Sequence, residues 1–258
     1  FLALLLFGTG AGAYTLLRAF GGRSPLILLV LPFTVNFMLV LGFHNFLLGM
    51  ALAFTFAAWW VSRKACTLFT AAGHLMAGIV LFSTHTTALV LYFLLPGGHE
   101  LALLAKLGER TSSGVLAGRW KGFATYLLCS VPALLLFSAF SAAHPNTWQA
   151  NGQQDHLREL LNLRSILLYH FEMEEKFLYG TKVLLVACGV LALAFRLRER
   201  GCWRPRHADV PFVVAMVLLV LYFVLPDSAG YASYISVRLQ WMALVLLIIA
   251  IALQDLPP

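Results

Sequence analysis

Charge is scarce in this sequence. Asp, Glu, Lys and Arg make up 11% of its 258 residues, against about a quarter in soluble globular domains, which excludes an ordinary soluble domain. Cysteine is also sparse. Cys66, Cys129, Cys188 and Cys202 are isolated and form no CxxC pair, so they read as packing residues and imply neither a disulfide framework nor a zinc site. The chain opens at Phe1 without a Met, and no basic segment or small-residue cleavage site accompanies Phe1–Phe7, so this is no signal peptide. Such a start is expected of a piece of a longer chain that begins inside or just before a span. No two histidines lie three or four residues apart, the spacing that would put metal ligands on one helical face.

What the chain has is apolar length: 60% of it is hydrophobic and the mean hydropathy is +0.84. A spanning helix takes about 20 residues, and apolar runs fall near 1–17, 26–42, 45–61, 66–83, 86–105, 122–140, 177–195, 210–226 and 237–253. The expected fold is an all-α polytopic transmembrane bundle of about nine spans, forming a single domain over 1–258. Pro96-Gly97-Gly98 lies inside the fifth run; if that helix ends early, the fourth and fifth merge and eight spans remain. A hairpin is expected at Gly42–Asn45.

Basic residues orient this bundle, because cytoplasmic loops collect Lys and Arg. Alternate connections hold Arg18 and Arg23, then Arg63 and Lys64, then Lys106, Arg110, Arg119 and Lys121, then Arg196, Arg198, Arg200, Arg204 and Arg206, which is 13 of 18 cations. The expectation is a multi-pass plasma-membrane protein with a cytoplasmic C-terminus. The net charge of +7 follows from the same bias, so it does not signal nucleic-acid binding. Trp59 and Trp60 beside Arg63 read as an interfacial belt. The long connection 141–176 is expected to be external and to contain an amphipathic helix built on Leu157, Leu160, Leu161 and Leu163.

Two motifs invite functional readings that their context removes. Gly8-Thr9-Gly10-Ala11-Gly12-Ala13 matches a dinucleotide-binding pattern, but no acidic residue follows about 20 positions on, and Gly8 with Gly12 reads as a small-xxx-small packing face. His99-Glu100 begins like a zincin motif, yet Leu103 stands where the second histidine belongs. His74, in mid-span, reads as a hydrogen-bonded core histidine. Lys182 lies one to two turns inside the seventh run, with Glu175 on the same face as its expected partner.

Polar residues converge instead on the external turns: His44 and Asn45; Thr84, His85, Thr86 and Thr87; Asp227, Tyr231, Tyr234 and Arg238. Turns need polar groups for their own backbone, but His44, Asn45, His85, Asp227, Tyr231 and Arg238 are together the candidate substrate-binding set, with Arg238 offering a forked donor to a phosphate.

Three stretches carry a resemblance: Gly42-Phe43-His44-Asn45-Phe46-Leu47-Leu48-Gly49, the His85 turn, and Leu225-Pro226-Asp227-Ser228-Ala229-Gly230 followed by Arg238-Leu239. Together they resemble a group of uncharacterised bacterial polytopic membrane proteins whose layout is similar to that of GT-C glycosyltransferases. That resemblance implies a membrane bundle binding a polyprenyl-phosphate sugar at the outer face, and a loop acid, often with a divalent cation, assisting transfer. This chain departs from the pattern, since no Asp or Glu precedes Glu100, so no catalytic residue is carried over. The rival expectations are a transporter or channel, which would use Pro32, Asn36, His74, Pro96 and Gly97 near the midplane, and a noncatalytic membrane scaffold.

Overall fold

The structure, a computed structural model, describes residues 2–105, 113–143, 148–149, 156–166, 171–200, 206–229 and 234–254. Its helices are α1 (Leu2–Ala19), α2 (Leu31–Thr34), α3 (Phe37–Val40), α4 (His44–Val61), α5 (Leu68–Thr84), α6 (Thr86–Ala105), α7 (Ser113–Ala143), α8 (His156–Leu161), α9 (Phe171–Arg200), α10 (Val210–Val224) and α11 (Ile235–Ala252). The only extended pairing among the described residues is a two-residue antiparallel bridge, Trp148–Gln149 with Ser228–Ala229. The protein has the all-α architecture of an integral membrane protein.

Among the described residues, five helical stretches are long and apolar enough to cross a membrane: His44–Val61, Thr86–Ala105, Val115–Ala143, His207–Val224 and Ile235–Ala252. Three apolar segments of the described residues are shorter, Pro25–Val40, Leu68–Thr84 and Leu178–Leu191. The expected second span is therefore no continuous helix. Pro25–Val30 forms a 3-10 turn, α2 and α3 have four residues each, and Asn36 between them is extended at φ −146° and ψ 171°. Pro25 and Pro32 each sit in a first turn, where a missing N–H costs nothing. Fully buried Asn36 closes the break from both sides, its Nδ2 donating to Phe33 O at 2.9 Å and its Oδ1 accepting from Leu39 N at 3.0 Å.

Pro96 does not end α6, which runs through it. The fourth and fifth runs stay separate because His85 is extended, at φ −167° and ψ 125°. The helix over the sixth run begins at Ser113, earlier than the apolar run, and carries Arg119, Trp120 and Lys121 within it. The connection 141–176 contains a short helix, α8, with Leu157 and Leu161 exposed; 144–147, 150–155 and 167–170 lie outside the described residues.

Helix α11 is the centre of the bundle. Trp241, Met242, Ala243, Val245 and Leu246 are fully buried, and the Trp241 indole donates to Phe33 O at 2.8 Å, tying α11 to the broken segment. Gln240 fastens the 156–166 segment to α11. Its Oε1 accepts from Ser165 N at 2.9 Å, its Nε2 donates to Glu159 O and Leu160 O, and Ser165 O accepts from Phe37 N at 3.2 Å. Helices α1 and α4 pack closely because α1 offers glycine: a Cβ on Gly12 would come within 2.9 Å of Ala51 O, and one on Gly8 within 3.5 Å of Ala51 Cβ. The Gly8–Gly12 pair is a packing face, as its spacing predicts.

Candidate functional site

His85 immediately precedes helix α6 and Glu100 lies near its end, 15 residues or about 22 Å apart along the axis. The two residues mark opposite ends of the bundle, and each end holds an arginine largely withdrawn from water.

At the His85 end, three turns meet around Phe46, which α4 buries completely. The His85 ring meets Phe46 edge-on with centroids 5.4 Å apart, and the Arg238 guanidinium carbon lies 5.9 Å from the same ring and 4.8 Å from that of Phe43. Cation–π contact stabilises a guanidinium there without using its N–H groups. Tyr234 packs edge-on against Phe37 and Phe43 and starts α11 in the left-handed region at φ 57°. Asp227 does not neutralise Arg238 by direct contact; its Oδ1 accepts from Ser236 N at 3.1 Å and from Ser236 Oγ, capping α11. Arg238 is 6% exposed, and its Nε is buried without a hydrogen-bond partner.

His85 caps α6, with Nδ1 accepting from Thr87 N at 3.2 Å and contacting Thr87 Oγ1 at 2.6 Å. A backbone N–H can only donate, so Nδ1 keeps its lone pair and Nε2 carries the proton. Burial first, and the Arg238 cation second, lower the His85 pKa to about 4, so the ring is neutral at pH 7. This end therefore holds one buried cation and one neutral N–H donor on a shared aromatic floor.

The structure thus draws His85 and Arg238 onto one ring, with Asp227 beside them as a capping residue. His44 is half-buried at the start of α4, Asn45 is exposed, and Tyr231 lies outside the described residues. Among the described residues no three His, Cys, Asp or Glu side chains gather to hold a metal ion. The divalent cation implied by the GT-C resemblance has no fitting donor set among the described residues.

The opposite end contains a polar network that sequence reasoning missed as a unit. Glu100, 1% exposed, accepts on Oε1 from Arg63 Nη2 at 2.5 Å and from the Trp60 indole at 3.0 Å. Arg63 also donates to Trp60 O at 2.8 Å and lies 3.8 Å over the Trp60 ring. His74 continues the network: its ring lies tilted at 43° to that of Trp60 with centroids 4.4 Å apart, meets Tyr92 Oη at 2.5 Å through Nδ1, and meets Ser130 Oγ at 3.0 Å through Nε2. Tyr126 Oη donates to Phe93 O at 2.8 Å, so α4, α5, α6 and α7 are tied together by polar groups inside an apolar bundle. His74 is a hydrogen-bonded core histidine, in keeping with its isolation in the sequence. Pairings between helices leave no periodicity, and the only signal was an acid and a histidine in otherwise apolar runs.

A separate apolar crevice of about 520 Å³ opens between α8, α9, α10 and α11, on the face of α11 that carries Leu244, Leu247 and Ile251. Lys182 lines it, with Nζ 3.4 Å from Asn162 Oδ1; the side chain of Glu175, its expected partner, lies outside the described residues. Comparison with protein-family models, curated proteins and solved structures finds no match to the chain.

Proposed function

We propose that this integral membrane protein binds a lipid-linked phosphate at the His85 end, as a GT-C-like glycosyltransferase or a degenerate relative would bind a polyprenyl-phosphate sugar. One observation carries the reading: Arg238 is buried on a phenylalanine floor with a donor unused and no carboxylate in contact among the described residues. A buried cation in that state is costly unless a ligand completes it, and a guanidinium matches phosphate oxygens with forked hydrogen bonds. The neutral His85 Nε2–H supplies a second donor. On this reading the His85 end faces outward at the plasma membrane of a bacterial cell, the basic end and the C-terminus face the cytoplasm, and His44, Asn45 and Tyr231 border the head group.

The transporter reading draws less support. The break at Asn36 resembles a discontinuous helix, but Phe33 O is already bonded by Asn36 and Trp241, so the break is filled by protein.

The test is binding of polyprenyl phosphate to the purified chain in detergent. Arg238→Gln should weaken it at least about tenfold, the lower range for a lost hydrogen bond to a charged group. Arg18→Gln, an exposed cation at the opposite end, should change it less than about twofold. Equal losses, or no binding by the folded wild type, overturn the reading.

A further inference from the structure

A cavity of about 410 Å³ lies at the basic end, where the ends of α4 and α6 meet the start of α7. Four cationic side chains line it, Arg63, Lys64, Arg119 and Lys121, against one carboxylate among the described residues, Glu100. That carboxylate is engaged by Arg63, which leaves Lys64, Arg119 and Lys121 without a counter-charge among the described residues of the wall. Arg119 supplies the directional feature, because its Nη1 is buried and has no hydrogen-bond partner. Gly118 and Gly122 form part of the wall on α7, one turn apart. A Cβ on Gly118 meets nothing within 4 Å, so the space beside it is open, whereas one on Gly122 would press within 2.9 Å of Glu100 Oε2.

We infer that this cavity binds a phosphate-bearing anion, at a second site remote from the His85 end and independent of the function proposed for it. Concave volume of roughly 300–1,000 Å³ is the range of small-molecule sites, and converging ammonium and guanidinium groups with one buried free N–H match a multiply charged oxyanion. Cations solvated merely because they flank a span would stand apart on separate helix ends; here the connection after α4 and the start of α7 place theirs around one open cavity. The cavity sits where helices leave the apolar layer, with Leu68 and Phe69 exposed on neighbouring α5, so the anion is either the head group of an acidic phospholipid or a soluble phosphate compound.

Two binding arms on the full chain separate these sources. One titrates inorganic pyrophosphate against protein in zwitterionic nanodiscs, and the other measures enrichment of phosphatidic acid around protein in mixed nanodiscs. Binding in either arm supports the site and names its source. Arg119→Gln should weaken that binding at least about tenfold, while Arg23→Gln, an exposed cation outside the cavity, should change it less than about twofold. Gly118→Leu fills the open space and leaves every charge in place, so it should abolish binding without altering net charge. Arg119 Nη1 holds no bond in the fold, and an unchanged unfolding midpoint for Arg119→Gln separates lost binding from lost structure. The inference is overturned if neither probe binds, if Arg119→Gln and Arg23→Gln lose binding equally, or if Gly118→Leu binds as the wild type does.

Discussion

Arg63 and Arg238 are both arginines withdrawn from water near the ends of apolar helices, and their surroundings differ in kind. Arg63 has a carboxylate at 2.5 Å, a carbonyl at 2.8 Å and an indole face at 3.8 Å. Arg238 has two phenyl faces, a buried Nε with no partner, and an aspartate whose Oδ1 is held by Ser236. A buried ion pair with its donors used is closed chemistry that holds helices in register. A buried cation with a donor left over is open chemistry, and the free energy it lacks is what a ligand can provide.

The sharpest break of this comparison is at Glu100. Glu100→Ala strands the Arg63 cation and the Trp60 indole together, and should destabilise the protein by about 3–5 kcal/mol. Arg238→Met removes a charge that makes no ion pair, keeps most of the side-chain volume, and should cost less than about 1.5 kcal/mol. Chemical unfolding in detergent compares the two. Replacing both partners, Arg63→Met with Glu100→Met, should recover most of the single-mutant loss, because no charge is then left unpaired. Equal losses for Glu100→Ala and Arg238→Met would show that the two arginines are not different.

A smaller effect is expected from two glycines on α7. Gly122→Ala drives a methyl toward Glu100 Oε2 and to within 3.1 Å of Arg63 Nη2, so it should cost about 1–3 kcal/mol by displacing the pair. Gly118→Ala, one turn away, meets nothing and should stabilise the helix by up to about 1 kcal/mol. Opposite signs at two positions of one helix would tie the effect to the Glu100–Arg63 contact. Equal signs would detach it.

Much of the bundle was legible in the sequence because apolar runs bounded by turn residues leave few choices. The runs 45–61, 66–83 and 237–253 match α4, α5 and α11 to within two residues at each end. The broken segment was not legible by counting apolar residues, since Leu26–Val40 is as hydrophobic as a span. Its information lay in Pro25, Pro32 and Asn36, whose missing or competing hydrogen bonds divide it. Helix α7 was read as beginning too late because Arg119 and Lys121 interrupt the apolar run, although long cationic side chains are compatible with a helix end at an interface. At the His85 end, sorting polar residues by alternate turns singled out His85 and Arg238, but the shared Phe46 floor and the capture of Asp227 by Ser236 depend on tertiary contacts. Glu100 was noted only for the motifs it fails to complete, because its partners are 37 and 40 residues away, on α4 and just past its end.

The smallest expected effect is a pH dependence at the open end. His85 Nδ1 accepts from Thr87 N, and burial followed by the Arg238 cation lowers its pKa from 6.5 to about 4. Between those values the unfolded chain binds a proton at this position and the folded protein does not. The His85 contribution to stability is therefore complete above pH 6.5, declines as the pH falls toward 4, and changes no further below it. By linkage a shift of this size caps the loss at about 3 kcal/mol, and because the ring is only half-buried, solvent screening leaves a fraction of that to be read. Unfolding of wild type and His85→Gln across this interval should give a difference curve that slopes toward lower wild-type stability in acid. Arg238→Gln removes the repelling cation, so the His85 titration, followed by NMR in detergent, should move upward. A flat difference curve, or a His85 titration unmoved by Arg238→Gln, would separate the two residues electrostatically and leave Arg238 as a buried cation without a neighbouring donor.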